Sequence, residues 1–283
     1  MIRIVSDSST LYSIKQAEEK GFSIAPLSVT INKRTYKEFE DINTVDFISI
    51  INEGYMPTSS QPSIGEVLDI YNKYPEDEII NISMADGLSG TYNSACTAKN
   101  MDKNPDRINV INSKTLCGPQ RYLVELAVSL VNKGLTREEI IKEIHEIAET
   151  SISFLIPRDF DFLVRGGRLS PLVGKIGSAI KLVPVMTLSE DSTTLVKFTT
   201  KRTFRKAIGK ICDVMLEHNV DSGYKIYICH GNEISLAEEA KSIILEYIKN
   251  ADIEIHMLGP VFTTQGGPGC LSIQFIKKYE ELI

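Results

Sequence analysis

The chain has 283 residues, 42% of them hydrophobic and 24% charged, and roughly 150 residues per domain predicts two domains. Its 31 basic and 37 acidic side chains give a formal net charge of −6, which argues against a nucleic-acid binder with its basic face. There is no membrane-length apolar run and no secretory-signal core, and the five cysteines show no Cys-x-x-Cys pair. A soluble cytoplasmic protein without disulfides or zinc is therefore expected.

In chain order, the apolar run 2–5 predicts a first strand, followed by the polar cluster 6–10. Residues 57–63 read as a polar loop entering a helix that Ser63-x-x-Glu66 caps. The run 79–82 predicts a second strand, and the polar stretch 83–89 leads into a helix from Gly90 to about Asn100. A third strand at 108–111 precedes the loop 112–119 and a helix over 120–133. Thr136-x-x-Glu139, just behind Gly134, opens another helix. Strand, polar loop and helix in repetition predict βαβ units, hence a parallel-sheet α/β domain over residues 1–150.

The pattern changes near residue 150. Residues 152–156, 181–188, 195–200, 225–229 and 253–258 read as strands, with helices over 203–218 and 234–249. Ile208, Ile211, Cys212 and Met215 fall on one face of the first of these helices. Thr264–Gly269 reads as a glycine-rich turn, and the chain beyond Gly269 as a final helix. Hairpin and crossover connections together predict an α+β domain over residues 151–283.

Hydroxyl residues gather where an open parallel sheet binds ligands, beyond the carboxyl ends of its strands. The candidate loops are Asp7-Ser8-Ser9-Thr10, residues 83–91, residues 112–118 and residues 57–63. Each hydroxyl is equally suited to capping a helix; several together offer O–H and N–H donors to a carboxylate or phosphate. No Gly-x-Ser-x-Gly, P-loop or Gly-x-Gly-x-x-Gly pattern occurs, and His145, His218, His230 and His256 lack metal-ligand spacing. Nothing assembles a nucleophile with a base. Arg165-Gly166-Gly167-Arg168 places two guanidinium groups around flexible glycines. Arg202 stands at a helix start, where a cation does not help the helix dipole.

Six of these segments, in this order, resemble the DegV family of bacterial fatty-acid-binding proteins. They are Ser6-Asp7-Ser8-Ser9, Ser59-Ser60-Gln61-Pro62-Ser63, Leu88-Ser89-Gly90-Thr91-Tyr92, Arg165-Gly166-Gly167-Arg168-Leu169-Ser170, Val183-Pro184-Val185 and Arg202-Thr203-x-x-Lys206-Ala207. The resemblance implies a ligand tunnel between an N-terminal α/β domain and a C-terminal α+β domain. It implies a lipid carrier, not an enzyme, with one long-chain fatty acid as ligand, no cofactor or metal, and an ATP-dependent fatty acid kinase subunit as partner. By the same resemblance Ser59, Ser60, Ser89 and Gly90 hold the carboxylate, while Arg168, Arg202 and Gln265 lie near it or face the kinase. Ile176, Ile180, Leu182, Val183, Val185 and Met186 are the expected acyl wall. Ser59 stands where threonine is usual, Asn112 where aspartate is common and Val183 where lysine is common. Gln265 replaces the histidine of a His-x-Gly-Pro-Gly ending and cannot accept a proton at neutral pH. The competing expectation is an enzyme that cradles a phosphorylated small molecule with the same loops, Arg168 and Arg202.

Overall fold

The computed structural model describes residues 1–169 and 182–279. Ser170, Ile176, Ile180 and Lys181 of the segments above lie outside the described residues. The first sheet holds β1 (Ile2–Asp7), β2 (Ser23–Ala25), β6 (Glu78–Ser83) and β7 (Ile108–Asn112), all parallel, in the order β2-β1-β6-β7. Its strands are apolar on both faces because both faces are covered. Ile4, Ile80, Ile82 and Ile111 pack on α5 (Cys117–Asn132) and α6 (Arg137–Ala148). Val5, Ile79 and Ile108 meet the opposite layer, α3 (Ile64–Asn72) and α4 (Thr91–Met101). Both predicted capping boxes, Ser63 with Glu66 and Thr136 with Glu139, are formed.

Beside this sheet lies a small antiparallel one, β3 (Ser28–Ile31), β4 (Arg34–Lys37) and β5 (Thr58–Ser60), in the order β4-β3-β5. Asn32 and Lys33, both at positive φ, make the tight turn of its hairpin. Helices α1 (Ile14–Glu19) and α2 (Thr44–Asn52) complete the first half of the chain. Residues 58–60 are therefore not loop, as the sequence suggests, but a strand paired with β3 through Val29↔Ser59. Three polar residues carry no apolar alternation, so only their partner strand makes them β.

The large sheet runs β10-β9-β8-β13-β11-β12 and is antiparallel except for β11 with β12. Its strands are β8 (Ile152–Ile156), β9 (Val183–Leu188), β10 (Leu195–Lys201), β11 (Tyr224–His230), β12 (Asp252–Met257) and β13 (Leu271–Lys277). The segment after Gly269 is thus a central strand, not the expected helix. The run Leu271-Ser272-Ile273-Gln274-Phe275 alternates with period two, which serves a strand and not a helix. One face of this sheet is covered by α8 (Phe204–Glu217) and α9 (Ile234–Tyr247), burying Ile208, Ile211, Ile243, Ile273 and Phe275 together. The other face meets α5, and Tyr227, Cys229 and Ile276 join the core of the first sheet. Helix α5 is shared between the two sheets. A Cβ on its second residue, Gly118, would lie 2.1 Å from the Tyr227 ring, so only glycine permits this approach. Two short helices finish the chain's inner layer, α7 (Phe160–Arg165) and α10 (Pro260–Gly266).

Candidate functional site

Between the layers lies a cavity of about 410 Å³, within the range of small-molecule sites. Ser59, Ser60, Ser89, Gly90, Arg168 and Gln265 all line it. They come from four places in the fold, and specific contacts hold them together. Gln61 reaches from the end of β5 to α4, where its Nε2 donates to Ser94 Oγ at 2.7 Å. Its Oε1 lies where a Cβ on Gly90 would come within 2.0 Å, so the glycine lets the two segments close up. Gln265 at the end of α10 donates from Nε2 to Ser59 Oγ at 2.9 Å. Ser59 thereby accepts from the protein and keeps its own proton to donate. Ser89 Oγ accepts from Thr91 N at 3.3 Å and lies 2.8 Å from Thr91 Oγ1, at the start of α4. A helix start favours an anion.

Arg168 supplies the charge. Its Nε donates to Leu88 O at 3.0 Å and its Nη1 to Gly166 O. Among the described residues no carboxylate pairs with it. Burial presses its pKa down, yet a guanidinium stays protonated at any working pH. A half-buried cation held by carbonyls suits an anionic ligand. Gln265 Oε1 is buried in the same place without a partner among the described residues. The remainder of the cavity is largely apolar, with Leu27, Met84, Leu155, Leu163, Leu188 and Leu258 among its walls.

The expected acyl wall is displaced. Val185 faces the core beneath α8 and α9, and Met186 packs with Leu163 and Leu169. Leu182 and Val183 border a separate small recess beside Phe204. Strand β9 contributes to the cavity through Leu188 instead. The wall residues cannot be told from core residues by type, because alternation places neighbours on opposite faces. Arg202 does not line the cavity; it is exposed in the turn before α8. The turn between β9 and β10 closes over the first half of the chain, and a Cβ on Gly87 would sit 2.1 Å from the Thr193 backbone.

A family profile described as an uncharacterised protein of the DegV family matches residues 1–278. The chain belongs to the DegV family. A DegV domain-containing protein of Staphylococcus aureus (strain N315) is 31% identical over 282 residues, covering 97% of this chain and 98% of that one. The crystal structure of DegV, a fatty acid binding protein from Bacillus subtilis, is 29% identical with a TM-score of 0.85, covering 98% and 99%. A fatty-acid-binding DegV family protein from Thermus thermophilus superposes with a TM-score of 0.88 at 22% identity, also covering 98% and 99%. The DegV fold accounts for the mixed α/β architecture with its parallel-sheet domain and second α+β domain.

Of the candidate DegV loops, two do not face the cavity with their hydroxyls. Ser8, Ser9 and Thr10 are buried in a closed network around Asp7. Asp7 accepts from Ser9 N and Ser9 Oγ, from Met84 N at 3.0 Å and from Gln120 Nε2 at 3.1 Å. Ser8 Oγ donates to Glu38 Oε2 at 2.6 Å, and Glu38 Oε1 takes the N–H of Val261 at 2.8 Å. In the loop 112–118, Ser113 and Thr115 are buried as well; only Leu116 and Cys117 reach the cavity. His230 is buried in β11, and its Nδ1 accepts from Glu233 N at 3.0 Å, a structural role. Gln61, Ser153, Ser272 and Gln274 are cavity residues that sequence reasoning gives no site role. Gln61 stands inside a quoted motif; the last two were hidden by the helical reading of β13.

Proposed function

We propose that this protein binds one long-chain fatty acid in the buried cavity and presents its carboxylate to a separate ATP-dependent fatty acid kinase. The carrying observation is the convergence of Ser59, Ser89, Gln265 and an Arg168 that meets no carboxylate among the described residues on the polar end of an otherwise largely apolar cavity. Ser59, Ser60, Ser89 and the Gly90 backbone hold the carboxylate, within residues 1–150. Residues 151–283 cover most of the acyl chain. Each buried methylene contributes about 0.8 kcal/mol, so the chain supplies most of the affinity and the polar end sets its direction. The fatty acids bound by the Bacillus subtilis and Thermus thermophilus relatives support the same reading.

Presentation to a partner is supported by a second recess of about 260 Å³, which shares Ser59, Arg168 and Gln265 with the cavity. These residues form the partition between the buried chain and a recess bordered by exposed Met56 and Arg165. Hydroxyl and amide donors leave a carboxylate oxygen more nucleophilic than a bidentate arginine clamp does. Arg168 spends two of its donors on carbonyls and acts mainly through its charge. The protein needs no catalytic group of its own in this role, and among the described residues no helix is long and apolar enough to cross a membrane.

Native mass spectrometry of the freshly purified protein, followed by solvent extraction, tests the reading. One fatty acid per chain is expected. No lipid after reloading with several acids overturns it. ATP-dependent hydroxamate formation by the loaded protein with an acyl kinase tests presentation; retained lipid without acyl phosphate removes the partner alone.

A further inference from the structure

The cavity wall carries a polar seam that a plain hydrocarbon chain does not need. Ser272 and Gln274 of β13 and Ser153 of β8 line it on one face of the large sheet, with Ser153 opposite Gln274 in the strand pairing. Contacts trace the way inward from the polar end. A Cβ on Gly266, next to Gln265, would touch Cys270 Sγ and Leu155. Leu155 stands opposite Ser272, and Gln274 lies two residues further along β13, about 7 Å deeper.

Gln274 is committed to the protein. Its Nε2 donates to Leu116 O at 3.0 Å and to Ser153 Oγ at 2.8 Å, and its Oε1 accepts from Gly118 N at 3.3 Å. It holds Ser153 as an acceptor, which leaves the Ser153 proton free to donate. The Ser272 hydroxyl is buried and, among the described residues, has no nitrogen or oxygen partner, only the Cys229 thiol beside it. Its cross-strand neighbour Cys229 offers only a thiol, a weak hydrogen-bonding group. Buried hydroxyls with only a thiol as partner are poorly matched, because each forfeits its hydration for a weak contact.

We infer that the preferred ligand is a long-chain carboxylic acid bearing an oxygen function, such as a hydroxyl, part-way along its chain where Ser153 and Ser272 can meet it. The inference rests on the fatty-acid reading and narrows it to a class of ligand. A chain hydroxyl accepts from Ser153 and exchanges a hydrogen bond with Ser272, while a methylene at that point leaves both unmatched.

The test measures binding of octadecanoic acid and of a series of octadecanoic acids hydroxylated at successive chain positions. One position is expected to bind about tenfold tighter than the plain acid, the effect of matching one buried hydroxyl. In Ser272→Ala and Ser153→Ala with Ser272→Ala the advantage falls to near one, and a cooperative thermal unfolding transition reports that the variants fold. Equal binding of plain and hydroxylated acids by the wild-type protein, as when a bound water satisfies the seam, overturns the inference and leaves the fatty-acid reading intact. An advantage that survives in the double variant overturns it too. If no acid of either kind binds, the broader reading falls first.

Discussion

Ser8–Thr10 and Ser59–Ser60 are both short hydroxyl runs beside strand ends, and they do opposite work. The first is sealed: Asp7, Glu38 and Gln120 take up its donors, and every residue from Ser6 to Thr10 is buried. The second is open, with Ser59 held as an acceptor by Gln265 and Ser60 exposed at the rim of the cavity. A hydroxyl's role is set by whether the protein already uses its proton. The sealed cluster ties β1 to α5 and, through Glu38 and Val261, to the start of α10. The far end of α10 carries Gln265 into the site. One polar cluster therefore holds the scaffold while the other faces the cavity.

The sharpest way to break this contrast is Asp7→Ala, which leaves the N–H groups of Ser9 and Met84 without their acceptor and strips one partner each from Ser9 Oγ and Gln120 Nε2. A loss of about 4 kcal/mol in urea unfolding is expected, since two buried N–H groups go unmatched and two further hydrogen bonds are lost at once. Stability within about 1 kcal/mol of wild type would show that the cluster is not structural.

Glu38 extends the contrast to pH. Burial raises its pKa from 4.5 to about 8 against the opposing hydrogen bonds from Ser8 and Val261. The folded state thus holds this proton more tightly than the unfolded state does. Its contribution is fully present below about pH 4.5 and is lost as pH rises through about 8. Melting temperatures across that window should fall for wild type and fall less for Glu38→Gln. Parallel curves would remove Glu38 as the source.

The open cluster should behave in the reverse manner. Ser59→Ala with Ser89→Ala is expected to weaken acid binding about tenfold or more while changing stability by less than about 1 kcal/mol. Binding of the matching fatty alcohol, which has no carboxylate to hold, serves as the control. An equal loss for acid and alcohol would place the effect in the wall instead. The smallest effect belongs to Arg202→Ala, which should leave lipid affinity and stability unchanged within about 0.5 kcal/mol. If acyl-phosphate yield also stays unchanged, Arg202 has no part in partner docking.

The sequence alone determined the strands of the parallel sheet, because each is a short apolar run buried on both faces. It determined the capped helix starts too, since a capping box is local chemistry within four residues. The DegV resemblance placed Ser59, Ser89, Arg168 and Gln265 near one ligand, and these residues meet at one cavity. Tertiary structure decided what spacing cannot carry. Gln265 reaches Ser59 across 206 positions of chain, and no local pattern records which hydroxyl it will hold. Strand β5 exists only through its pairing with β3, and the glycine-led chain before β13 obscured an alternation that the neighbouring β8 and β11 make into a central strand. Val185 misses the cavity because alternation turns it to the face opposite Leu188, while Met186, on the same face as Leu188, is taken up by Leu163 and Leu169. Which polar groups are sealed and which stay open is a matter of partners brought from afar, and only packing supplies them.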